Sequence, residues 1–131
     1  MRAERWKWDV AKASVLVVED EWMIASLIET ILHRLGYGVV GPAATAKASI
    51  GLLDCGPTLA LLDIQLGRET SFPVADALAQ RRIPFAFVSA YGRLGLPERF
   101  ADRTVLTKPF STEALARVLS TLRGDDTDAS A

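Results

Sequence analysis

Four apolar runs in this chain are each followed at once by a polar group with a chemical use. The run at 15–18 leads into Glu19, Asp20 and Glu21, that at 59–62 into Asp63, that at 85–88 into Ser89, and that at 104–106 into Thr107 and Lys108. In an open parallel sheet the carboxyl ends of the strands carry the ligand site, so these groups are expected at one edge. Carboxylates from two strands crowded there repel one another and shift one another's proton affinities unless a cation joins them. Hard oxygen ligands with few protein contacts suit Mg2+, which keeps several waters and shares its sites with phosphate oxygens. Asp63 is then both a ligand and a candidate nucleophile. A carboxylate attacks a phosphoryl group to give an acyl phosphate when cations neutralise the charge on the transferring oxygens. Mg2+ and Lys108 would supply that charge. The Ser89 hydroxyl would donate to a phosphoryl oxygen, and its small side chain leaves room for the group to arrive.

The elements that must position these groups follow from the spacing of apolar residues. The runs at 15–18, 59–62 and 85–88 are continuous rather than alternating, as in strands covered on both faces. Weaker runs at 37–40 and 104–106 bring the expected strands to five. Ile24, Leu27, Ile28, Ile31, Leu32 and Leu35 recur at helical spacing, and Gly36 supplies the stop. Segments 43–53, 71–80 and 112–122 read as three further helices. Ser71 is the expected cap of the second of these, with Pro73 in its first turn, and Gly124 ends the last. Gly92, Gly95 and Pro97 leave only a short, irregular or mobile helix between 91 and 102. The alternation predicts an α/β fold, a doubly wound five-stranded parallel sheet, over 14–124. An N-terminal extension at 1–13 precedes it and a disordered polar tail at 125–131 follows.

Composition narrows the function classes. The chain has 131 residues, half of them apolar, and fifteen Lys and Arg balance sixteen Asp and Glu. That is the size of one domain, with no global field to hold nucleic acid or an anionic membrane. Cys55 and His33 are the only residues of their types, which excludes an internal disulfide and a zinc-type cluster. Charges interleave with tryptophans over 1–13, unlike a secretory signal, and no stretch is long enough to span a bilayer, so a cytoplasmic protein is expected. His33 lies off the apolar stripe beside Arg34 and reads as a solvated residue. Cys55 reads as a small packing residue near a helix end. Trp6 and Trp8, between Arg5 and Lys7, read as a packing arm or a dimer contact; one such turn is too little for a single-strand groove.

Taken together, VLVVEDE (15–21), LALLDIQLG (59–67), FAFVSAYG (85–92) and LTKPF (106–110) resemble the receiver domains of two-component response regulators, in family order and over about 14–123. The resemblance implies a CheY-like (βα)5 fold of the flavodoxin type, in which Asp63 accepts a phosphoryl group from a histidine kinase. By the same resemblance Glu19 and Asp20 are the acidic pair at the Mg2+ site, Gln65 adds its backbone carbonyl to the metal, and Ser89 and Lys108 take the hydroxyl and lysine positions. The run from Pro84 to Gly92, then Leu96-Pro97, then LTKPF, is similar to a stand-alone alphaproteobacterial subgroup known as FAT GUY, with Ser89 where its threonine stands. That likeness implies a kinase of the HWE or HisKA2 type as partner and a downstream protein or phosphotransfer partner.

The departures concern output. Gly67 stands where the family commonly has proline. Val105 stands where many receivers carry the aromatic that reports phosphorylation, and Tyr91 is the expected substitute. Fewer than ten residues follow the last helix, so output is expected through protein contact and not through DNA. Two other functions compete. An aspartate-nucleophile phosphatase needs a second acid two residues after Asp63, where Gln65 stands. A pseudo-receiver would bind partners without phosphorylation. The chain is expected to catalyse only its own phosphorylation and dephosphorylation.

Overall fold

The computed structural model describes residues 13–124; the extension and tail, on which the domain limits and the expectation for Trp6 and Trp8 rest, lie outside the described residues. Strand β1 (Ser14–Val18) leads to helix α1 (Trp22–Arg34), then to β2 (Gly38–Ala43) and α2 (Ala46–Gly51), which tightens into a 3-10 turn at Leu52–Cys55. Strand β3 (Leu59–Asp63) is followed by a small hairpin, β4 (Gln65–Leu66) and β5 (Glu69–Thr70), and by α3 (Phe72–Gln80). Strand β6 (Phe85–Ser89), a 3-10 turn at Glu98–Phe100, β7 (Thr104–Thr107) and α4 (Thr112–Arg123) complete the order.

Five strands form one parallel sheet in the order β2-β1-β3-β6-β7. This is the doubly wound arrangement expected, with its switch point between β1 and β3. The strand residues alternate between two cores. Val15, Val17, Leu59, Leu61, Ala86 and Val88 bury against Ile28 and Leu32 of α1 and Leu115 and Leu119 of α4. Leu16, Val18, Ala60, Leu62, Phe85 and Phe87 bury on the other side against Val74, Ala75 and Leu78 of α3. Both faces are covered, which is why these runs are continuously apolar.

Local chemistry sets the boundaries, and in several places it differs from expectation. β2 runs on to Ala43 through Pro42, which an edge strand tolerates because its missing N–H faces no neighbour. α2 therefore begins at Ala46 and not at 43, where the Thr45 hydroxyl accepts the Ala48 N–H at 3.1 Å. Ser71 does not cap α3: its Oγ is buried without a hydrogen-bond partner, and Pro73 in the first turn carries the helix start instead. Leu27 lies outside the buried stripe of α1 at 51% exposed. Cys55 is exposed and not the buried packing residue expected, while His33 is exposed as expected.

Between β6 and β7 the chain makes turns and one 3-10 turn, with no α-helix. Phe100 from that turn is 2% exposed and fills the space a helix would cover. Its ring centroid lies 5.5 Å from Phe87, 5.8 Å from Phe72 and 6.1 Å from Phe85. Val105 packs half-buried against this same core. Phe100→Ala is expected to cost about 3–5 kcal/mol in urea unfolding, as buried Phe truncations do. Leu94→Ala, at a site 76% exposed, is expected to stay within about 0.5 kcal/mol. Equal effects at the two positions would contradict this anchoring.

Candidate functional site

Register brings the polar groups together. Val18 pairs with Leu62, Asp63 with Val88 and Ser89 with Thr107, so β1, β3, β6 and β7 end at one level. Backbone bonds carry the ladder one residue further: the Glu19 N–H donates to Ala43 O at 2.9 Å and the Lys108 N–H to Ser89 O at 2.8 Å. The cleft above these ends, about 520 Å³, is lined by Asp20, Asp63, Gln65, Ser89, Tyr91 and Lys108 among others.

Lys108 is the centre of the site. Its Nζ lies 3.1 Å from Glu19 Oε1, 3.3 Å from Asp63 Oδ2 and 4.0 Å from Glu21 Oε1. Glu19 is 3% exposed, and its other oxygen accepts the Glu21 N–H at 3.1 Å. Burial foremost, then the neighbouring Asp63 carboxyl, pushes Glu19 up from the ordinary 4.5 to about 7 against the pull of the Glu21 N–H and Lys108. Burial works against the Lys108 ammonium, but Asp63 and Glu19 outweigh it and the net shift is upward.

Asp20 is held from the loop after β3, where its Oδ2 accepts the Gly67 N–H at 3.0 Å. Gly67 turns the β4–β5 hairpin at φ +63°. Proline, with φ locked near −65° and no N–H, could make neither the turn nor the bond. The hairpin is further tied by Gln65 Nε2, which donates to Gly67 O at 2.9 Å and Glu69 O at 3.1 Å. Glu69 in turn accepts the Ala46 N–H at the start of α2 at 2.9 Å. Sequence reasoning missed this hairpin and the roles of Gly67 and Glu69. The two-residue step Gly67-Arg68 between Leu66 and Glu69 was the available signal.

Ser89 is 4% exposed, and its Oγ accepts the Tyr91 N–H at 3.0 Å, which leaves the hydroxyl proton free to donate. Tyr91 itself stands 78% exposed at the lip of the cleft. Glu19, Asp20 and Asp63 each offer a carboxylate oxygen, all within 4.8 Å of one another. An all-oxygen donor set of that size fits a hard divalent cation.

No family model matches the chain. Over 116 residues it is 33% identical to the phyllosphere-induced regulator PhyR of Methylorubrum extorquens, covering 81% of this chain and 42% of that protein. The solution structure of SdrG from Sphingomonas melonis Fr1 is 39% identical with a TM-score of 0.77, over 86% of this chain and 98% of that one. The protein belongs to the receiver domains of response regulators. PhyR from Bartonella quintana, described as an anti-anti-sigma factor, follows at 31% identity and TM-score 0.73, over 97% of this chain and 55% of that one. A CheY-like receiver domain from Methylobacillus flagellatus, 18% identical with a TM-score of 0.73, shares the fold. The receiver spans about half the length of the curated relatives it matches.

Glu19 gives this receiver a pH signature. Between pH 4.5 and about 7 the folded state holds a proton on Glu19 that the unfolded chain has lost, so this group's contribution to stability falls as pH rises through that window. In metal-free buffer the urea midpoint of the native chain is expected to drop, relative to Glu19→Gln, from pH 5 to pH 7.5, and Mg2+ is expected to shrink the drop. Parallel pH profiles for the two proteins would contradict the assignment.

Proposed function

We propose that this receiver accepts a phosphoryl group on Asp63 from a histidine kinase and signals through altered protein contacts. The observation that carries the reading is the half-buried Lys108 ammonium between Glu19 and Asp63, beside a Ser89 hydroxyl whose proton is free. An Asp63 oxygen attacks phosphorus, the P–N bond to the kinase histidine breaks, and an acyl phosphate forms with the imidazole as leaving group. Glu19, Asp20, Asp63 and the backbone carbonyl of Gln65 would hold Mg2+. When bound, that ion supplies positive charge to the transferring oxygens. Lys108 leaves Asp63 for a phosphoryl oxygen, and Ser89 donates to another.

The reporting residue in this reading is Tyr91, tied through its N–H to Ser89, because Val105 packs half-buried against the core and offers no rotating ring. The subgroup resemblance supports a kinase of the HWE or HisKA2 type. The anti-anti-sigma description of PhyR from Bartonella quintana supports a protein as the downstream partner. In this reading the receiver acts in the cytoplasm. The chemistry turns over this chain's own aspartate and no separate metabolite.

Intact-mass analysis with Mg2+ and acetyl phosphate tests the reading. One phosphoryl group is expected on the native chain and none on Asp63→Asn or without metal. Lys108→Ala is expected to slow the gain by about 10²-fold. No gain on the native chain, with acetyl phosphate or as a beryllofluoride adduct, would leave a binding module that works without phosphorylation. In amide spectra, Tyr91→Ala is expected to lose the phosphorylation-dependent changes over 91–105; their full retention would exclude Tyr91 as reporter.

A further inference from the structure

The segments that follow β1, β2 and β3 meet beside the acid cluster, and hydrogen bonds join them in a ring. At the end of β1 the Glu19 N–H donates to Ala43 O of β2 at 2.9 Å. Just beyond Ala43, the Ala46 N–H donates to Glu69 Oε2 of the hairpin after β3, also at 2.9 Å. In that hairpin the Gly67 N–H donates to Asp20 Oδ2 at 3.0 Å, and Asp20 adjoins Glu19, so the ring closes. Each bond joins a different pair of segments.

Asp20 and Glu69 are the two carboxylates in the ring, and only Asp20 belongs to the acid cluster with Glu19 and Asp63. Glu69 is exposed and lines no part of the cleft. Packing does not call for an acid there, because the apolar anchor of the hairpin is Leu66, buried in the same core as Ala46. The Ala46 N–H does call for one: it opens α2, where no helical carbonyl can accept it. The hydroxyl of the preceding Thr45 is already engaged by the Ala48 N–H. Glu69 supplies the missing acceptor from 23 residues away.

We propose that Glu69 is a positioning residue for the metal-holding acids. Its bond to Ala46 fixes the β4–β5 hairpin against α2, and the fixed hairpin keeps the Gly67 N–H on Asp20 and the Gln65 backbone in place. This inference rests on the reading of Glu19, Asp20, Asp63 and Gln65 as the holders of Mg2+. The coupling is reciprocal: whatever Glu69 adds to Mg2+ affinity, bound Mg2+ adds to the hold on Ala46. Metal occupancy is thereby read at the start of α2, beside the β2 edge of the sheet, whereas Tyr91 follows β6.

Mg2+ titration of the full chain, followed by amide NMR shifts and amide hydrogen exchange, tests it. Glu69→Ala is expected to weaken Mg2+ binding about tenfold, the low end for losing a partner that orients a metal ligand. Glu69→Gln keeps an oxygen for the Ala46 N–H and is expected to stay within about twofold of native at about 0.15 M salt, where an exposed charge is screened. In the native chain Mg2+ is expected to slow exchange of the Ala46 amide severalfold. The Ala114 amide, held by Ser111 Oγ at the start of α4, is expected to keep its rate. Equal Mg2+ affinity in Glu69→Ala and native chains overturns the proposal and leaves the metal reading standing. Binding as weak in Glu69→Gln as in Glu69→Ala also overturns it, by reducing Glu69 to a charge. An Ala46 exchange rate that Mg2+ does not change overturns it on the native chain alone, whether or not the alanine variant folds. A native chain that binds no Mg2+ overturns the metal reading itself, and the proposal with it.

Discussion

One ammonium group holds apart and together the acids on which the site depends. Lys108 reaches Glu19 and Asp63 across sequence separations of 89 and 45 residues, so the contact exists only when β1, β3 and β7 are assembled in order. β7 and β3 are two strand spacings apart, about 10 Å, and a shorter cation on β7 would not span the gap. The strand between them, β6, ends at Ser89, and Ala90 follows, two small residues that leave room for the lysine to pass over. Without that charge, Glu19 and Asp63 would meet unscreened in a half-buried setting, where repulsion is far stronger than in water.

The same constraint explains the loop after Asp63. Asp20 is not held by Lys108; it is held by the Gly67 N–H, and the hairpin that presents Gly67 is anchored to α2 through Glu69. The acid cluster thus has two supports, a cation on one side and a backbone dipole on the other. A glycine that departs from the family's proline is what the second support requires, because only an unrestricted backbone with a free N–H can make it.

The sheet and its strand ends were legible because both follow from runs of apolar residues ending in polar ones, and the parallel topology then left one edge for Glu19, Asp63, Ser89 and Lys108. Helix boundaries were less legible where two signals competed. Pro42 is tolerated at an edge position, so β2 runs on to Ala43 and α2 starts only at Ala46, after its Thr45 cap. Ser71 has a capping residue's identity and a buried residue's environment. The β4–β5 hairpin was invisible to periodicity because two-residue strands carry no pattern; its evidence lies in hydrogen bonds between Asp20, Gln65, Gly67 and Glu69. The role of Phe100 was hidden for a different reason: an aromatic in a glycine-rich stretch shows its burial only once Phe72, Phe85 and Phe87 are in place.

The most direct test of the central claim is a structure of the native chain with Mg2+ and beryllofluoride. The account predicts the adduct on Asp63, Lys108 Nζ moved from Asp63 to a fluoride, Ser89 Oγ donating to another, and the cation among Glu19, Asp20 and Asp63. An unmodified Asp63 still paired with Lys108, under conditions that saturate other receivers, would contradict it.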